Sequence, residues 1–112
     1  MAVTVVSVTR HADAGQIELV VEVILENVSR NEQVPYDSQF FSLQDSEGNW
    51  YPASEFAPEP SLTVGLLALG ASDRGNVAFD ITDTPAAQGF VLTYDPTVMD
   101  GDYEMIQIDL RQ

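Results

Sequence analysis

Cysteine and lysine are both missing from this 112-residue chain, and histidine and tryptophan occur once each. Without cysteine there is no disulfide, no zinc–thiolate site and no thiol nucleophile. The lone histidine, His11, supplies neither a metal triad nor a thiol dyad. A Ser-His-Asp arrangement would want its serine in a context such as Gly-x-Ser-x-Gly, and the sequence contains none. Paired carboxylates for glycoside hydrolysis are available among the acids, but a sandwich of this length has little room for a substrate cleft beside its core. The expectation is that the chain is not an enzyme.

Positive charge is almost as scarce. Four arginines, at positions 10, 30, 74 and 111, stand against 18 Asp and Glu, for a net charge of −14. Such a surface repels phosphate backbones and anionic lipid, so no nucleic-acid partner is expected. Long apolar runs are lacking too. No segment approaches the roughly 18 apolar residues of a membrane span, so no direct membrane insertion is expected. The opening "MAVTVVSV" alternates rather than forming a signal-like apolar block, and the chain is expected to start inside a folded domain.

What remains is strand pattern. In "QIELVVEVILEN", Ile17, Leu19, Val21, Val23 and Leu25 fall on one face, and Glu18, Glu22 and Glu26 fall on the other with Val20 and Ile24. A helix at 100° per residue would scatter those glutamates, so period two makes this a strand. The same alternation aligns Gly75, Val77, Phe79 and Ile81, then Phe90, Leu92 and Tyr94, then Ile106, Ile108 and Leu110. "VTVVSVTR", "FFSLQ" and a short piece near Trp50 add further strands. Turn-forming stretches at 13–15, 27–33, 45–49, 83–89 and 95–102 separate them. In "SLTVGLLALG" the glycines at 65 and 70 limit any helix to about one turn, and three prolines make 52–60 a loop. About seven or eight short antiparallel strands at this spacing define an all-β fold, a β-sandwich, in one domain covering 1–112.

The stretch Phe41-x-Leu43-x-Asp45-x-x-Gly48-x-x-Tyr51 resembles the hairpin signature of a bacterial immunoglobulin-like domain family of unknown function. That family occurs in lipoproteins and secreted proteins and is similar in fold to the mycobacterial immunoprotective extracellular protein. Asn27-x-Ser29 at a strand end, Leu67-x-Leu69-Gly70, Gly75-x-Val77-x-Phe79-x-Ile81 and the C-terminal "FVLTY" and "IQIDL" follow in the family's order. Leu69 departs from it, standing where a proline is usual. The resemblance spans nearly the whole chain. It implies an immunoglobulin-like sandwich, an extracytoplasmic location, and no catalytic residues to carry over. The function expected is a non-catalytic interaction or spacer module of a secreted or lipid-anchored protein, with a protein partner or a neighbouring domain.

Four candidate sites are set against structural roles. An EF-hand loop needs glycine at position 6 and glutamate at 12; counted from Asp45, Gly48 is at 4 and Phe56 at 12, so the acidic turn is a hairpin corner. Asp95, Asp100, Asp102 and Glu104 place four carboxylates within ten residues around a proline and a glycine. They define the alternative reading, a calcium-stabilised or calcium-sensing domain, although acidic loops are ordinarily solvated and no cofactor is the leading expectation. Trp50, Tyr51 and Phe56 among prolines offer an aromatic partner surface, against the expectation that Trp50 covers the open end of the core. Asn27-Val28-Ser29 matches a glycosylation acceptor, but reads more simply as a turn asparagine closing a strand.

The acidity generates a direct expectation. Raising salt shortens the screening length from about 10 Å at 0.1 M to about 3 Å at 1 M, which relieves self-repulsion. The melting temperature is expected to be higher in about 1 M sodium chloride than in about 20 mM. An equal or lower value would mean that the acids are already neutralised locally.

Overall fold

The computed structural model describes residues 1–28, 32–62, 64–84, 86–96 and 105–110. It is an antiparallel β-sandwich of nine strands in three hydrogen-bonded groups. β1 (Ala2–Asp13), β2 (Gln16–Glu26) and β7 (Ser72–Asp80) form one sheet in the order β1-β2-β7. β5 (Trp50–Pro52), β4 (Phe41–Gln44), β8 (Val91–Tyr94) and β9 (Ile106–Asp109) form the second, in the order β5-β4-β8-β9. A short pair, β3 (Val34–Tyr36) with β6 (Gly65–Leu67), completes the set. Among the described residues the only helical element is a 3-10 turn, Ser38–Phe40, capped by Asp37 through its carboxylate and the Gln39 N–H. No helix among them is long and apolar enough to cross a membrane.

The alternating residues of the two sheets meet in one core. Leu19, Val21, Val23 and Leu25 of β2 pair in register with Phe79, Val77, Gly75 and Asp73 of β7, and all but Asp73 are buried. Phe41, Leu43, Leu92, Tyr94 and Phe90 come from the facing sheet. Burial of each large side chain there contributes about 2 kcal/mol. The strands β3 and β6 were not expected, because three residues are too few for an alternation to register. In "SLTVGLLALG", where the glycines limit any helix to about one turn, Gly65–Leu67 is extended and pairs with β3. Gly65 packs against the ring of Tyr36, and the Tyr36 hydroxyl donates to Asp73 at 2.7 Å.

Two positions hold the connections in place. The Asn27 side chain is 1% exposed, and its Nδ2 donates to the carbonyls of Leu67 (2.9 Å) and Glu32 (3.0 Å). Its backbone exchanges bonds with Ala71 and Gly70. One amide thus ties the end of β2 to β6 and the turn after it, and leaves no accessible nitrogen for a glycan. At β7, the segment before β6 runs along the strand's outer edge. Leu62 N–H donates to Asn76 O, Asn76 N–H to Pro60 O, and Ser54 N–H to Ala78 O. A Cβ at Gly75 would fall on the Leu62 backbone, so only glycine permits this approach.

The hairpin joining β1 and β2 turns through Ala14 (φ 50°) and Gly15 (φ 82°), both left-handed as a two-residue type I′ loop requires. β1 bulges between Val5 and Ser7, where Val6 turns to solvent. This bulge bends the long edge strand.

Tyr94 is an exception to the satisfied polar core. Its ring packs on Phe41 and Phe40 (centroids 4.8 and 5.9 Å), yet among the described residues its buried hydroxyl has no hydrogen-bond partner. Burial, with the Asp37 carboxylate nearby, pushes its pKa up, so the phenol stays neutral.

Opposite outcomes are expected at the two buried positions. Gly75→Ala should cost about 2–3 kcal/mol, since backbone rather than a side-chain tip must move. Tyr94→Phe should leave stability within about 0.5 kcal/mol of the parent or raise it, because the oxygen it removes is unpaired. Denaturant midpoints check both. A tolerated alanine at 75 would mean that the 58–62 segment stands off β7, and a large loss at 94 would reveal a partner for its hydroxyl.

Candidate functional site

The acidic turn between β4 and β5 is where polar groups converge. Asp45 is buried, and its carboxylate accepts four hydrogen bonds: Oδ1 from the backbone N–H groups of Glu47 and Asn49, Oδ2 from Asn49 Nδ2 and the Tyr51 hydroxyl, each at 2.9 Å. A carboxylate offers about four lone-pair sites, and all are used. Gly48 (φ 88°) supplies the left-handed residue, and its N–H returns to the Asp45 carbonyl. Adding a cation at Asp45 would require breaking one of these bonds. The residue therefore organises the corner.

The network continues beyond the hairpin. With its proton committed to Asp45, the Tyr51 oxygen accepts from Thr84 Oγ1 at 2.6 Å. Ser46 N–H donates to the Gln88 carbonyl, and the absent side chain of Gly89 leaves space for Ser46. Together Asp45, Ser46, Thr84 and Gln88 line a cleft of about 290 Å³ at this end of the sandwich. Burial pushes the Asp45 carboxyl up, but the bonds from Asn49, Tyr51 and the two backbone N–H groups outweigh it, and its pKa lies below the ordinary aspartate value. Burial also raises the Tyr51 phenol, partly offset by the bond from Thr84. It stays protonated as a donor, the wrong direction for a base.

The sequence candidates are thereby separated. Tyr51 is 9% exposed and stacks edge-on against Phe90 (6.0 Å), so it belongs to the core and not to a surface. Trp50 is 63% exposed and Phe56 83%, so Trp50 does not cover the end of the core as expected. The reason is parity: adjacent strand residues face opposite ways, and Tyr51 takes the inward position. Asp95 lies just after β8, its N–H bonded to the Phe40 carbonyl at 2.9 Å; Asp100, Asp102 and Glu104 lie outside the described residues. Among the described residues, no group of three or more His, Asp or Glu comes together as a metal site. His11 is exposed on β1 opposite Glu18, beside a shallow groove that Val20 and Pro58 share. Thr84, 33 residues from its partner, was invisible to sequence reading.

The fold and this corner define an antiparallel β-sandwich with a saturated polar cluster that braces a hairpin. Solved structures of the same fold exist in Bacillus subtilis. The chain is similar to its YjhA protein, with a TM-score of 0.69 and 20% identity over 96% of this chain and 89% of that one. It is also similar to the candidate lipoprotein YcdA, with a TM-score of 0.65 and 22% identity over 96% of this chain, spanning 35% of that chain. No protein-family model matches the chain, and no curated protein sequence matches it.

Because its folded pKa is lowered, ionised Asp45 contributes stability in full above its unfolded pKa of about 3.9, and that contribution is lost as pH falls through the folded value. Asp45→Asn turns an acceptor of two donors into a donor facing them. Its melting temperature is expected to lie several degrees below the parent at neutral pH, with the gap closing below about pH 4. Taking the difference between the two proteins cancels the general relief of acidic repulsion. A gap that widens on acidification would mean that Asp45 is not the titrating brace.

Proposed function

We propose that this chain is a non-catalytic, immunoglobulin-like interaction or spacer module that works outside the cytoplasm, within a secreted or lipid-anchored protein. The observation that carries the reading is the likeness over 96% of this chain to about a third of a larger candidate lipoprotein, where the same fold is one part of a longer chain. The resemblance of Phe41-x-Leu43-x-Asp45-x-x-Gly48-x-x-Tyr51 to a family of secreted and lipoprotein domains points the same way. Its chemistry fits a non-catalytic role: Asp45, Tyr51 and Thr84 are consumed by bonds to one another, and Tyr51 is held protonated. A catalytic acid or base keeps a lone pair or proton available for substrate.

Location is the property to measure. In fractionated source cells, an antibody to this chain is expected to find it in the envelope or medium, and protease added to intact cells should remove the cell-associated signal. Protein that stays in the cytosol and resists protease until lysis would overturn the proposal.

A further inference from the structure

The outer faces of the two sheets differ in chemistry. On the three-stranded sheet, β2 presents Glu18, Glu22 and Glu26, and β7 adds exposed Asp80; Arg74 answers only Glu22, at 3.0 Å. On the four-stranded sheet, one register row crosses every strand as Pro52, Ser42, Thr93 and Gln107. The row beside it runs Trp50, Gln44 and Val91, ending on Asp109 at the far edge. Small Ser42 and Thr93, with Trp50, Phe40 and Met105 among their neighbours, line an open trough of about 450 Å³. Among the described residues, Asp95 is the sole acid in that lining.

The lining is also unspent. Among the described residues, the side chains of Ser42, Thr93 and Gln107 make no hydrogen bond, and Gln44 makes one at the 3.5 Å limit. Hydroxyls and primary amides both donate and accept, so together they match a ligand that does the same. Trp50 and Met105 stay 63% and 54% exposed. An indole face is electron-rich and attracts weakly positive C–H groups laid flat on it. Three inter-strand steps give the row a length of about 14 Å, enough for a short linear ligand.

We infer that this trough binds an uncharged carbohydrate chain, with a sugar ring stacked on Trp50 and its hydroxyls bonded to Ser42, Thr93, Gln44 and Gln107. Charge selects the class. A polyanion meets a molecule of net charge −14, and a cation finds the opposite sheet's glutamates more attractive than a neutral floor. A sugar is amphipathic in the same sense as the trough, apolar on its ring faces and dense in hydroxyls at its edge. The inference rests on the interaction-module reading and names its ligand.

Trp50 is the only tryptophan, so its fluorescence reports this face alone. The protein is titrated with hexasaccharides of β-1,4-glucose, β-1,3-glucose, β-1,4-xylose and β-1,4-N-acetylglucosamine, and with oligogalacturonate as the anionic control. At least one neutral sugar is expected to saturate with a dissociation constant below about 1 mM and a blue shift, and the control is expected not to bind. By calorimetry, Trp50→Ala should weaken binding about tenfold or more, and Thr93→Val about threefold. Phe56→Ala, an exposed aromatic outside the trough, should bind as the parent does. Absence of binding by the whole neutral panel up to about 10 mM, equal binding of oligogalacturonate, or unchanged affinity in Trp50→Ala would overturn the inference. So would a protein ligand lost in Trp50→Ala when no sugar binds, which would reassign the face. None of these failures touches the localisation result, which reads where the chain resides and not what it binds.

Discussion

Gly75 has no Cβ, and the Leu62 backbone occupies the space where one would stand. That approach lets the chain between β5 and β6 lie along the outer edge of β7, bonding through Ser54, Pro60 and Leu62 to Ala78 and Asn76. A sheet edge left open is a template for unwanted pairing, and here it is covered by the protein's own backbone. Leu62 then joins the same core as Val77 and Phe79. The β3–β6 pair, the Asn27 side chain bonded to Leu67 and the Tyr36–Asp73 bond add further links between distant parts of the chain.

Buried polar groups fix the corners, and they do so by being fully used. Asn27 donates twice into carbonyls at one connection, and Asp45 accepts four times at another. Each is costly to bury and becomes favourable only once its partners are in place, which makes the surrounding turns specific. Tyr94 shows the contrast. Its ring fills core volume against Phe41, while its oxygen gains nothing from the position.

The surface divides by sheet. Repulsive acids and one bidentate Arg74–Glu22 pair occupy the outer side of β2 and β7. Neutral amides and hydroxyls flank an exposed indole on the outer side of β4, β5, β8 and β9. Like charge is thus concentrated on one outer face, and the other is left largely neutral. The acidic turn joins β4 to β5, the strand that carries Trp50, and its bonds are made within the corner.

Periodicity alone determined the long strands and their faces. Leu19 to Leu25, and Gly75 to Ile81, alternate for enough residues that only one register hides them, and the structure buries those faces. The role of Gly48 and the Asp45 corner was also legible, because turn chemistry is local. Strands β3 and β6 were not, since three residues carry no period and their pairing spans some thirty positions. The same limit hid Thr84 from Tyr51 and the Ser42–Thr93–Gln107 row. Exposed polar residues on separate strands show no pattern along the chain; they become neighbours only when the strands take their order in the sheet. Even Trp50 followed this rule. Its outward direction came from β5 pairing with β4, which assigned the inward position to Tyr51. Local sequence determined which segments are strands, and long-range pairing decided what those strands hold up to solvent, because side-chain direction is a property of register and register is settled between distant parts of the chain.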